Sequence, residues 1–523
     1  MTLKRLTYLT HRWIGIVLGL LVFAWFVSGI ALMYYPWPSP THDEQLAMRP
    51  PLVLGSDSLA GFGAAWAAGR AYLEAHPELA IPSGDLAGGR LQQWNGRPMY
   101  ELWRQRGGHH EPALLVDGRA GAVHFPVTAD EARRAAQEAL LSLGAVTGSD
   151  SLTRGDHFMM AGEYERDFPA WRVDFGDVAS TSAYVSRRSG RLFGIITTQA
   201  RITTWIGAVP HWLYFQWLHD HRTAWTWSNY LLPAIACLIA LTGIVLGLWQ
   251  LFPHRRRGNW QASGYRGVSQ WHHVSGVVFG LLVLVWTFTG VLEMLGPGLS
   301  PPRAMMDRAQ STGDARLIAV DERTAIASAQ RITGSRGPVR AVDLQWAGGV
   351  PGFVVHLTDT SAFVDAVTGA TRGALPDSAL RAMAQRAAGA EVSIASVTPL
   401  AAYDDYYYAG HGRGVDLPVV RVQLTDTAHS ALYLDPRTGL PLGVVNASSR
   451  QWRWWRDALH TFDLPALNNR RPLWDIVTLI PMPGGTIAAF TGVWLLVRRL
   501  GLMLGWKPRR RARAATPATR AAR

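Results

Sequence analysis

Residues 10–33, THRWIGIVLGLLVFAWFVSGIALM, form an almost uncharged apolar stretch with a histidine near its start. Residues 271–294, WHHVSGVVFGLLVLVWTFTGVLEM, follow the same pattern 261 positions later. The stretches share a histidine and then glycines four and eight positions on, namely His11 and His272, Gly15 and Gly276, and Gly19 and Gly280. A helix of about 20 apolar residues crosses the ~30 Å hydrocarbon layer of a membrane. The pattern therefore predicts two transmembrane helices, each with a histidine at its mouth.

Two further apolar segments complete a set of four. The segments cover residues 14–33, 231–251, 277–295 and 476–497. The fourth contains Pro481 and Pro483 and is the least regular. The first is longer than the core of a usual signal peptide and lacks a clean cleavage site, so we interpret it as an uncleaved anchor. The sequence thus predicts four transmembrane helices.

The net charge of +13 is concentrated beside these segments. Residues 1–12, 253–271 and 498–523 together hold sixteen Lys and Arg residues and no acidic residue, so the rest of the chain nets −3. Positively charged flanks of transmembrane helices face the cytoplasm. We therefore expect cytoplasmic termini and two large periplasmic loops, about 36–225 and 296–470, in the inner membrane of a bacterium. Charge placed in this way indicates contact with the lipid bilayer, not with nucleic acid.

A second internal correspondence relates positions 249 apart. It matches Tyr184 with Tyr433, Gly190 with Gly439, Arg201 with Arg450, His211 with His460, and Thr242-Gly243 with Thr491-Gly492. The matches continue without a gap from the loops into the second and fourth apolar segments. We interpret the chain as two helix–loop–helix repeats.

Each large loop contains a shorter pattern twice. The stretches LLVDGRAGAV, YVSRRSGRLFG, FVDAVTGATRG and LYLDPRTGLPLG begin at residues 114, 184, 363 and 432. Each has an apolar run, a polar turn with glycine and a second run, which is typical of a β-hairpin. Amphipathic helix patterns precede them, beginning at residues 58, 129, 321 and 377. Four small α+β modules are predicted, two in each loop.

These observations predict a membrane α-helical fold class with periplasmic α+β modules. The predicted parts are 1–35 (cytoplasmic N-terminus and helix 1), 36–204 (modules 1 and 2), 205–252 (interfacial segment and helix 2), 253–271 (basic loop), 272–296 (helix 3), 297–450 (modules 3 and 4), 451–500 (interfacial segment and helix 4) and 501–523 (basic tail).

A helix followed by a Y-[LV]-D-x-x-T-G hairpin resembles the PepSY domain. Such modules between spans that open with HRWIG, together with LHTFDLPALNNRRPLWD at residues 459–475, resemble the PepSY-associated transmembrane family over nearly the whole chain. The hairpin signature is degraded in the first half, where Ser186 and Ser189 replace Asp and Thr and residues 118–120 lack the threonine. The resemblance implies an inner-membrane haem protein that reduces ferric siderophores in the periplasm.

The histidines are the candidate metal ligands. Cys237 is the only cysteine, which excludes iron–sulfur clusters and covalent C-x-x-C-H haem attachment. Neutral imidazole is a good axial ligand for haem iron. We therefore expect two b-type haems, one held by His11 and His272 near the cytoplasm and one by His211 and His460 near the periplasm. A ~30 Å hydrocarbon layer would separate the two irons by on the order of 20 Å. The alternative is that imidazoles simply favour the membrane interface.

The sequence leaves the roles of several neighbouring residues undecided. Gly15, Gly19, Gly276 and Gly280 lie on the face of the ligand histidines, where they could give a haem ring clearance or simply allow helix packing. His219 is a rival to His211, and His273 is a neighbour of His272 that faces another direction. Arg201 and Arg450 could bind haem propionates or be solvated. Ser28 and Thr289 are interpreted as packing contacts, and the aromatic stretch at 404–414 as a siderophore surface or a core strand.

The favoured function is electron transfer across the membrane to a periplasmic acceptor, with a ferric siderophore as the acceptor that the resemblance implies. No G-x-G-x-x-G loop is present, so the electron donor is a separate cytoplasmic partner or a quinol. One alternative is a non-enzymatic PepSY membrane protein that binds or regulates a periplasmic partner, as a protease inhibitor does. A transporter is the third possibility, which the scarcity of acidic residues in the spans disfavours.

Overall fold

The computed structural model of the chain describes residues 2–35, 37, 42–106, 109–160, 164–256, 263–295, 305–306, 308, 315–347, 350–358, 360–410, 415–467 and 470–505. The α-helices of this part of the chain are α1 (Leu3–Tyr34), α2 (His42–Ala47), α3 (Gly61–Ala75), α4 (Ala129–Ala139), α5 (Thr198–Ile206), α6 (Ala208–His211), α7 (Gln216–His219), α8 (Arg222–Arg256), α9 (Val268–Leu295), α10 (Glu322–Thr333), α11 (Asp377–Ala388), α12 (Ala447–Trp452), α13 (Ala458–His460), α14 (Leu473–Leu479) and α15 (Pro481–Met503). A π-helical turn, Arg453–Asp457, joins α12 to α13.

The strands form three antiparallel sheets. The strands are β1 (Leu86–Trp94), β2 (Arg97–Arg106), β3 (His109–Asp117), β4 (Val123–His124), β5 (Val146–Leu152), β6 (Ala170–Phe175), β7 (Ser182–Ser186), β8 (Leu192–Ile196), β9 (Val339–Ala347), β10 (Val350–Leu357), β11 (Ser361–Asp365), β12 (Thr371–Arg372), β13 (Ile394–Leu400), β14 (Val419–Leu424), β15 (Ala431–Leu434) and β16 (Pro441–Val445). One sheet has the order β12-β11-β10-β9-β1-β2-β3-β4, and β5–β8 and β13–β16 form one four-stranded sheet each.

Four helical stretches are long and apolar enough to cross a membrane. They are Leu3–Tyr34, Arg222–Leu251, Val268–Glu293 and Leu473–Met503. The prediction of a multi-pass membrane protein with four spans is confirmed, and the helices extend beyond the apolar segments that predicted them. The fourth span is divided at Ile480, because the ring of Pro481 removes a backbone donor there.

The chain divides into two compact units. The helical unit comprises residues 1–27, 230–288 and 477–523, and the sheet unit comprises residues 28–229 and 289–476. The helical unit contains most of α1, α8, α9 and α15. The sheet unit contains all sixteen described strands.

In the sheet unit, helices α3, α4, α10 and α11 each accompany four strands, whereas each hairpin pattern predicted only two. Thr128 starts α4 by accepting a hydrogen bond from the backbone N–H of Glu131, and Asp321 starts α10 in the same way through Thr324. Helices α3 and α10 share one core, in which Phe62 and Ala325 pack with Phe353. Burial of these apolar side chains holds the helices on the sheet.

The sequence did not predict that the first and third groups of strands form one continuous sheet. Strands β1 and β9 pair antiparallel, with Arg90 opposite Asp343. The Arg90 guanidinium binds both Asp343 carboxylate oxygens, at 2.5 and 2.6 Å. Burial alone would raise the pKa of Asp343, but Arg90 and His356 outweigh burial and hold it well below its usual range. The seam therefore carries a buried ion pair in addition to its backbone hydrogen bonds.

Candidate functional site

Two histidines from different helices face each other in the helical unit. His11 lies on α1 and His272 on α9, and their ring centres are 6.2 Å apart with 38° between the ring planes. We call them the first pair. Two imidazoles on opposite sides of one metal ion, at metal–nitrogen distances of about 2.0 Å, have ring centres about 6 Å apart. The spacing of the first pair therefore fits two axial ligands of one iron.

A backbone carbonyl of a further helix holds each ring of the first pair. The carbonyl oxygen of Ile239 lies 3.0 Å from Nδ1 of His11, and that of Ala488 lies 3.0 Å from Nδ1 of His272. Because a carbonyl oxygen can only accept, Nδ1 carries the proton and donates it in both rings. The lone pair then resides on Nε2, and a hydrogen bond of this kind orients metal-binding histidines in proteins.

A Thr-Gly pair lies beside each of these rings. The hydroxyl oxygens of Thr242 and Thr491 are 3.3 Å from Nδ1 of the ring on their side. A β-carbon at Gly243 would lie 2.9 Å from Cε1 of the facing ring, and one at Gly492 would lie 3.3 Å from it. Glycine therefore lets each imidazole approach the helix backbone. These Thr-Gly pairs are matched 249 positions apart in the sequence, but the match alone did not indicate their contact with the histidines.

The four glycines predicted to face a haem ring fall into two classes. A β-carbon at Gly15 or Gly276 would meet no described atom within 4 Å, so helix packing does not explain these two positions. At Gly280 it would lie 2.9 Å from Ile244, and at Gly19 it would lie 4.0 Å from Val493. Gly280 is therefore a close packing contact between helices.

A second pair of histidines lies in the sheet unit. His211 ends α6 and His460 ends α13, and their ring centres are 6.3 Å apart with 67° between the planes. The hydroxyl of Ser28 lies 3.0 Å from Nδ1 of His211, and that of Thr289 lies 2.8 Å from Nδ1 of His460. Both hydroxyls are fully buried. Ser28 and Thr289, interpreted from sequence as packing residues, contact the histidines instead.

The backbone around the second pair follows the same course on both sides. Thr197 and Asn446 start α5 and α12 by accepting a hydrogen bond from a backbone N–H three residues on. Two residues after each histidine, Leu213 and Phe462 adopt positive φ angles of 53° and 54°. The left-handed conformation is costly for such side chains. It turns the chain sharply after each histidine.

Two tryptophans brace this turn. The indole N–H of Trp225 donates to the carbonyl of Trp212 at 3.0 Å, and that of Trp474 donates to the carbonyl of Thr461 at 2.9 Å. In each case the acceptor is the residue directly after a histidine of the second pair. The hydrogen bonds therefore connect the start of α8 and the start of α14 to the residue that follows each histidine of the second pair.

Electrostatics keep His460 neutral. Burial and the neighbouring Arg456 guanidinium lower the pKa of His460 to about 4. Arg456 in turn binds the carboxylates of Glu293 and Asp457. A neutral imidazole is the form that binds a metal ion. His460 is therefore in a ligand-competent state at neutral pH.

The rival histidines lie elsewhere. The ring of His219 packs against Tyr214 and Trp225, with ring centres 5.5 and 5.3 Å away, and burial lowers its pKa. His273 is buried, and its two ring nitrogens lie 2.9 Å from the Ser263 hydroxyl and 3.0 Å from the Gly247 carbonyl oxygen. The structure thus brings His211, not His219, opposite His460, and both ring nitrogens of His273 are engaged.

Arg201 and Arg450, the predicted propionate partners, brace turns of the sheets. Arg201 donates to the carbonyl of Ser180 at 2.6 Å, and Arg450 donates to the carbonyl of His429 at 2.7 Å. Both acceptor residues adopt positive φ angles, 47° and 49°. These hydrogen bonds account for the matched positions of the two arginines.

The aromatic stretch at 404–414 is described only to Gly410, so His411 lies outside the described residues. Tyr407 is buried and stacks on Tyr433 with ring centres 5.0 Å apart. Tyr408 donates to the carboxylate of Asp463 at 3.3 Å. Tyr407 therefore belongs to a core, as one of the two interpretations predicted, but it lies in a bend and not in the predicted strand.

The hairpin residues make local hydrogen bonds. The carboxylate of Asp435 accepts from the backbone N–H of Arg437 and the hydroxyl of Thr438. In the degraded hairpin, the hydroxyl of Ser186 accepts from the backbone N–H of Arg188 at 3.3 Å. Ser186 thus accepts the hydrogen bond from the backbone N–H two residues on, as Asp435 does, and stabilises its turn in the same way. Across the described part of the chain, no group of three or more His, Cys, Asp and Glu side chains could hold a metal ion.

Comparison with known proteins gives one family. The model of the PepSY-associated TM region matches residues 8–324, which include His11, His211 and His272. No curated protein matches the chain.

Proposed function

Because the chain belongs to the PepSY-associated transmembrane family, we propose that it is an inner-membrane electron-transfer protein with two b-type haems. In this proposal it accepts electrons from a cytoplasmic partner or a quinol and passes them to a periplasmic acceptor. The acceptor of choice is the Fe(III) of a siderophore. The reaction class is that of an oxidoreductase.

One observation carries the proposal. Two separate histidine pairs have nearly the same ring spacing, 6.2 and 6.3 Å, and a hydrogen bond at Nδ1 of every ring. Interfacial histidines have no physical reason to pair twice at the separation that one metal ion requires. Nor does packing require that all four rings be oriented through the same nitrogen. Paired axial ligation explains both features.

The residues of the chain would divide the work as follows. His11 and His272 would hold one haem through Nε2, with Ile239 and Ala488 fixing the tautomer. His211 and His460 would hold the other, with their rings oriented by the two buried hydroxyls. A bound haem supplies reversible one-electron chemistry. The protein supplies ligands, orientation and shielding from water.

The direction of transfer rests on the basic flanks. Residues 1–12, 253–271 and 498–523 are basic, so both termini would be cytoplasmic and the sheet unit periplasmic. The first pair would then lie towards the cytoplasm and the second towards the periplasm. In this proposal electrons would pass from the first pair to the second, and the correspondence at 249 positions supports an origin of the two histidine pairs by duplication.

Reduction releases iron because of ligand preference. Siderophores bind Fe(III) through hard oxygen donors, and one electron converts it to Fe(II), which is a poorer match for such donors. Each released iron therefore requires one electron from the donor. The PepSY-like modules would either bind the chelate or shield the second haem.

Reduced-minus-oxidised visible spectra of the purified full-length protein test the proposal. We expect sharp b-type bands and two haems per chain by pyridine haemochrome assay. A folded, colourless protein from haem-replete cells would contradict the proposal. That result would favour a binding or regulatory PepSY membrane protein.

A further inference from the structure

The π-helical turn before His460 buries an arginine. Arg453 is only 4% exposed, and its Nε donates to the carbonyl of Asp405 at 2.7 Å. Among the described residues, none accepts a hydrogen bond from its Nη1 or Nη2, and both atoms are shielded from solvent. The outer edge of the guanidinium therefore has unsatisfied donors.

The surroundings of Arg453 hold it in place without accepting from these atoms. The guanidinium carbon lies 4.3 Å from the ring centre of Tyr408 and 5.2 Å from that of Trp454. Stacking on an aromatic ring favours the cation but accepts none of its in-plane N–H groups. The side chain is thus oriented by its stacking partners.

The nearby carboxylates do not accept a hydrogen bond from Nη1 or Nη2 of Arg453. Asp457 is paired with Arg456, which also binds Glu293. Asp463 accepts from the Tyr408 hydroxyl at 3.3 Å. Arg453 is electrostatically close to Asp457 and lowers its pKa, although burial outweighs this effect and the pKa of Asp457 is raised. The charge of Arg453 is therefore partly balanced, but its hydrogen-bond donors are not.

Buried donors of this kind destabilise the folded protein unless a ligand accepts their hydrogen bonds. A buried donor without a partner loses its hydration and regains nothing, and the penalty is largest for a charged group. The two Nη atoms of arginine form a planar fork that matches the two oxygens of a carboxylate. A π-helical turn inside a helix is itself frequent at functional sites.

The arginine occurs in one half of the chain only. The position 249 residues earlier is Thr204, and Arg456 corresponds in the same way to Gly207. The histidine pair is thus matched between the halves, whereas the charge beside it is not. Structural support of the histidines does not require Arg453, since the first half supports His211 without an arginine there.

We propose that Arg453 binds a carboxylate at the second histidine pair. The proposal rests on the proposed function in that a haem held by His211 and His460 would bring two propionate carboxylates to this site. Arg453 lies seven positions before His460 on the same helical run, which is about 10 Å of helix. A carboxylate of a soluble periplasmic ligand has the same chemistry and is the other source.

Three variants test the proposal in the full-length protein, in a His11→Ala/His272→Ala background that keeps only the second pair. Arg453→Gln removes the charge and the fork, and Arg453→Lys keeps the charge alone. Arg450→Gln is the matched control, because its guanidinium lies on the same helical run and has a backbone acceptor. We measure haem affinity by transfer to excess apomyoglobin. Arg453→Gln should weaken it about tenfold or more, Arg453→Lys less, and Arg450→Gln not at all.

Two ligands distinguish the sources of the carboxylate. Haem dimethyl ester lacks both carboxylates. If propionates are the partners, the ester should bind the Arg453-containing protein as weakly as haem binds Arg453→Gln, and the substitution should not weaken ester binding further. If a soluble ligand is the partner, haem and ester should bind both proteins equally. Citrate should then raise the melting temperature of the Arg453-containing protein and leave that of Arg453→Gln unchanged.

The outcomes separate this proposal from the proposed function. Protein that never binds haem contradicts the function, while the citrate titration still tests Arg453. If the Arg453-containing protein and the Arg453→Gln variant bind haem and ester identically, and neither responds to citrate, the function is retained and the carboxylate site is overturned. Arg453→Lys with the same haem affinity and citrate response as the Arg453-containing protein also overturns it, because the fork would then be unnecessary.

Discussion

The first and second histidine pairs share their ring spacing but differ in what holds the rings. Backbone carbonyls of Ile239 and Ala488 accept from the first pair. Buried hydroxyls of Ser28 and Thr289 lie at Nδ1 in the second pair. A carbonyl fixes the tautomer because it can only accept, whereas a hydroxyl can accept or donate. Helix backbone thus fixes the first pair, and side chains orient the second.

Charge sharpens the difference. The hydrogen-bond partners described for the first pair are uncharged. Arg456 acts electrostatically on His460 and binds the carboxylates of Asp457 and Glu293, and Arg453 lies seven positions before His460 on the same helical run. Neighbouring charge shifts the potential of a redox centre. If the proposed function holds, side chains would adjust the potential and ligand affinity of the second site, and this would suit a site that delivers electrons to a variable acceptor.

Removal of a ligand gives the largest effect. His272→Ala should abolish haem binding at the first pair only, and His460→Ala at the second pair only, because each iron would lose one of its two axial ligands. Pyridine haemochrome assays and low-temperature spectra measure which haem remains. His219→Ala is the control and should retain both haems. If His219→Ala removes a haem that His211→Ala retains, the second pair is wrongly assigned.

Substitution of the ring-contacting glycine comes next. Gly243→Ala places a β-carbon 2.9 Å from Cε1 of His11, so the ring must move or α8 must shift. Overpacking of this kind costs about 1–3 kcal/mol, which corresponds to about a tenfold to hundredfold weaker haem affinity at the first pair. Gly492→Ala, with 3.3 Å to the His272 ring, should cost less.

Gly247→Ala is the matched control for this substitution. Its β-carbon would lie 2.8 Å from Val277, a contact as tight but on an aliphatic side chain of α9. We expect a lower melting temperature with unchanged haem affinity per folded molecule. Equal loss of haem in Gly243→Ala and Gly247→Ala would show that general helix packing, not the ring contact, governs binding.

Local patterns in the sequence predicted much of the fold. Apolar length predicted the four spans, and turn residues such as Gly190 and Gly439, both with positive φ, marked the hairpins. The joined sheet could not be predicted, because pairing of Gly89 with Leu344 depends on contacts between distant segments that no local pattern encodes.

The candidate site divides in the same way. Symmetry-related histidines were visible as matched positions in the sequence, and the structure brings them together. The hydrogen-bond partners of these histidines, such as Thr242 and Thr289, were visible only as polar residues in apolar spans. Their role depends on which helices pack against each other, and the sequence does not show this. Arg453 was missed because it has no counterpart in the first half and because no sequence pattern marked the π-helical turn in which it lies.

The smallest expected effect tests the comparison most directly. Thr289→Val removes a hydroxyl beside His460, and Thr491→Val removes one beside His272, where the Ala488 carbonyl still accepts from Nδ1. A weaker hydrogen bond at Nδ1 makes the imidazole a poorer donor to iron and raises the potential. We expect a rise on the order of 30–60 mV for Thr289→Val, equivalent to one ordinary hydrogen bond, and a smaller rise for Thr491→Val.

Redox titration of each haem, with the other removed by a histidine substitution, measures both shifts. Equal shifts would mean that backbone carbonyls and hydroxyls hold the two pairs alike, and the distinction between a fixed and an adjustable site would be lost.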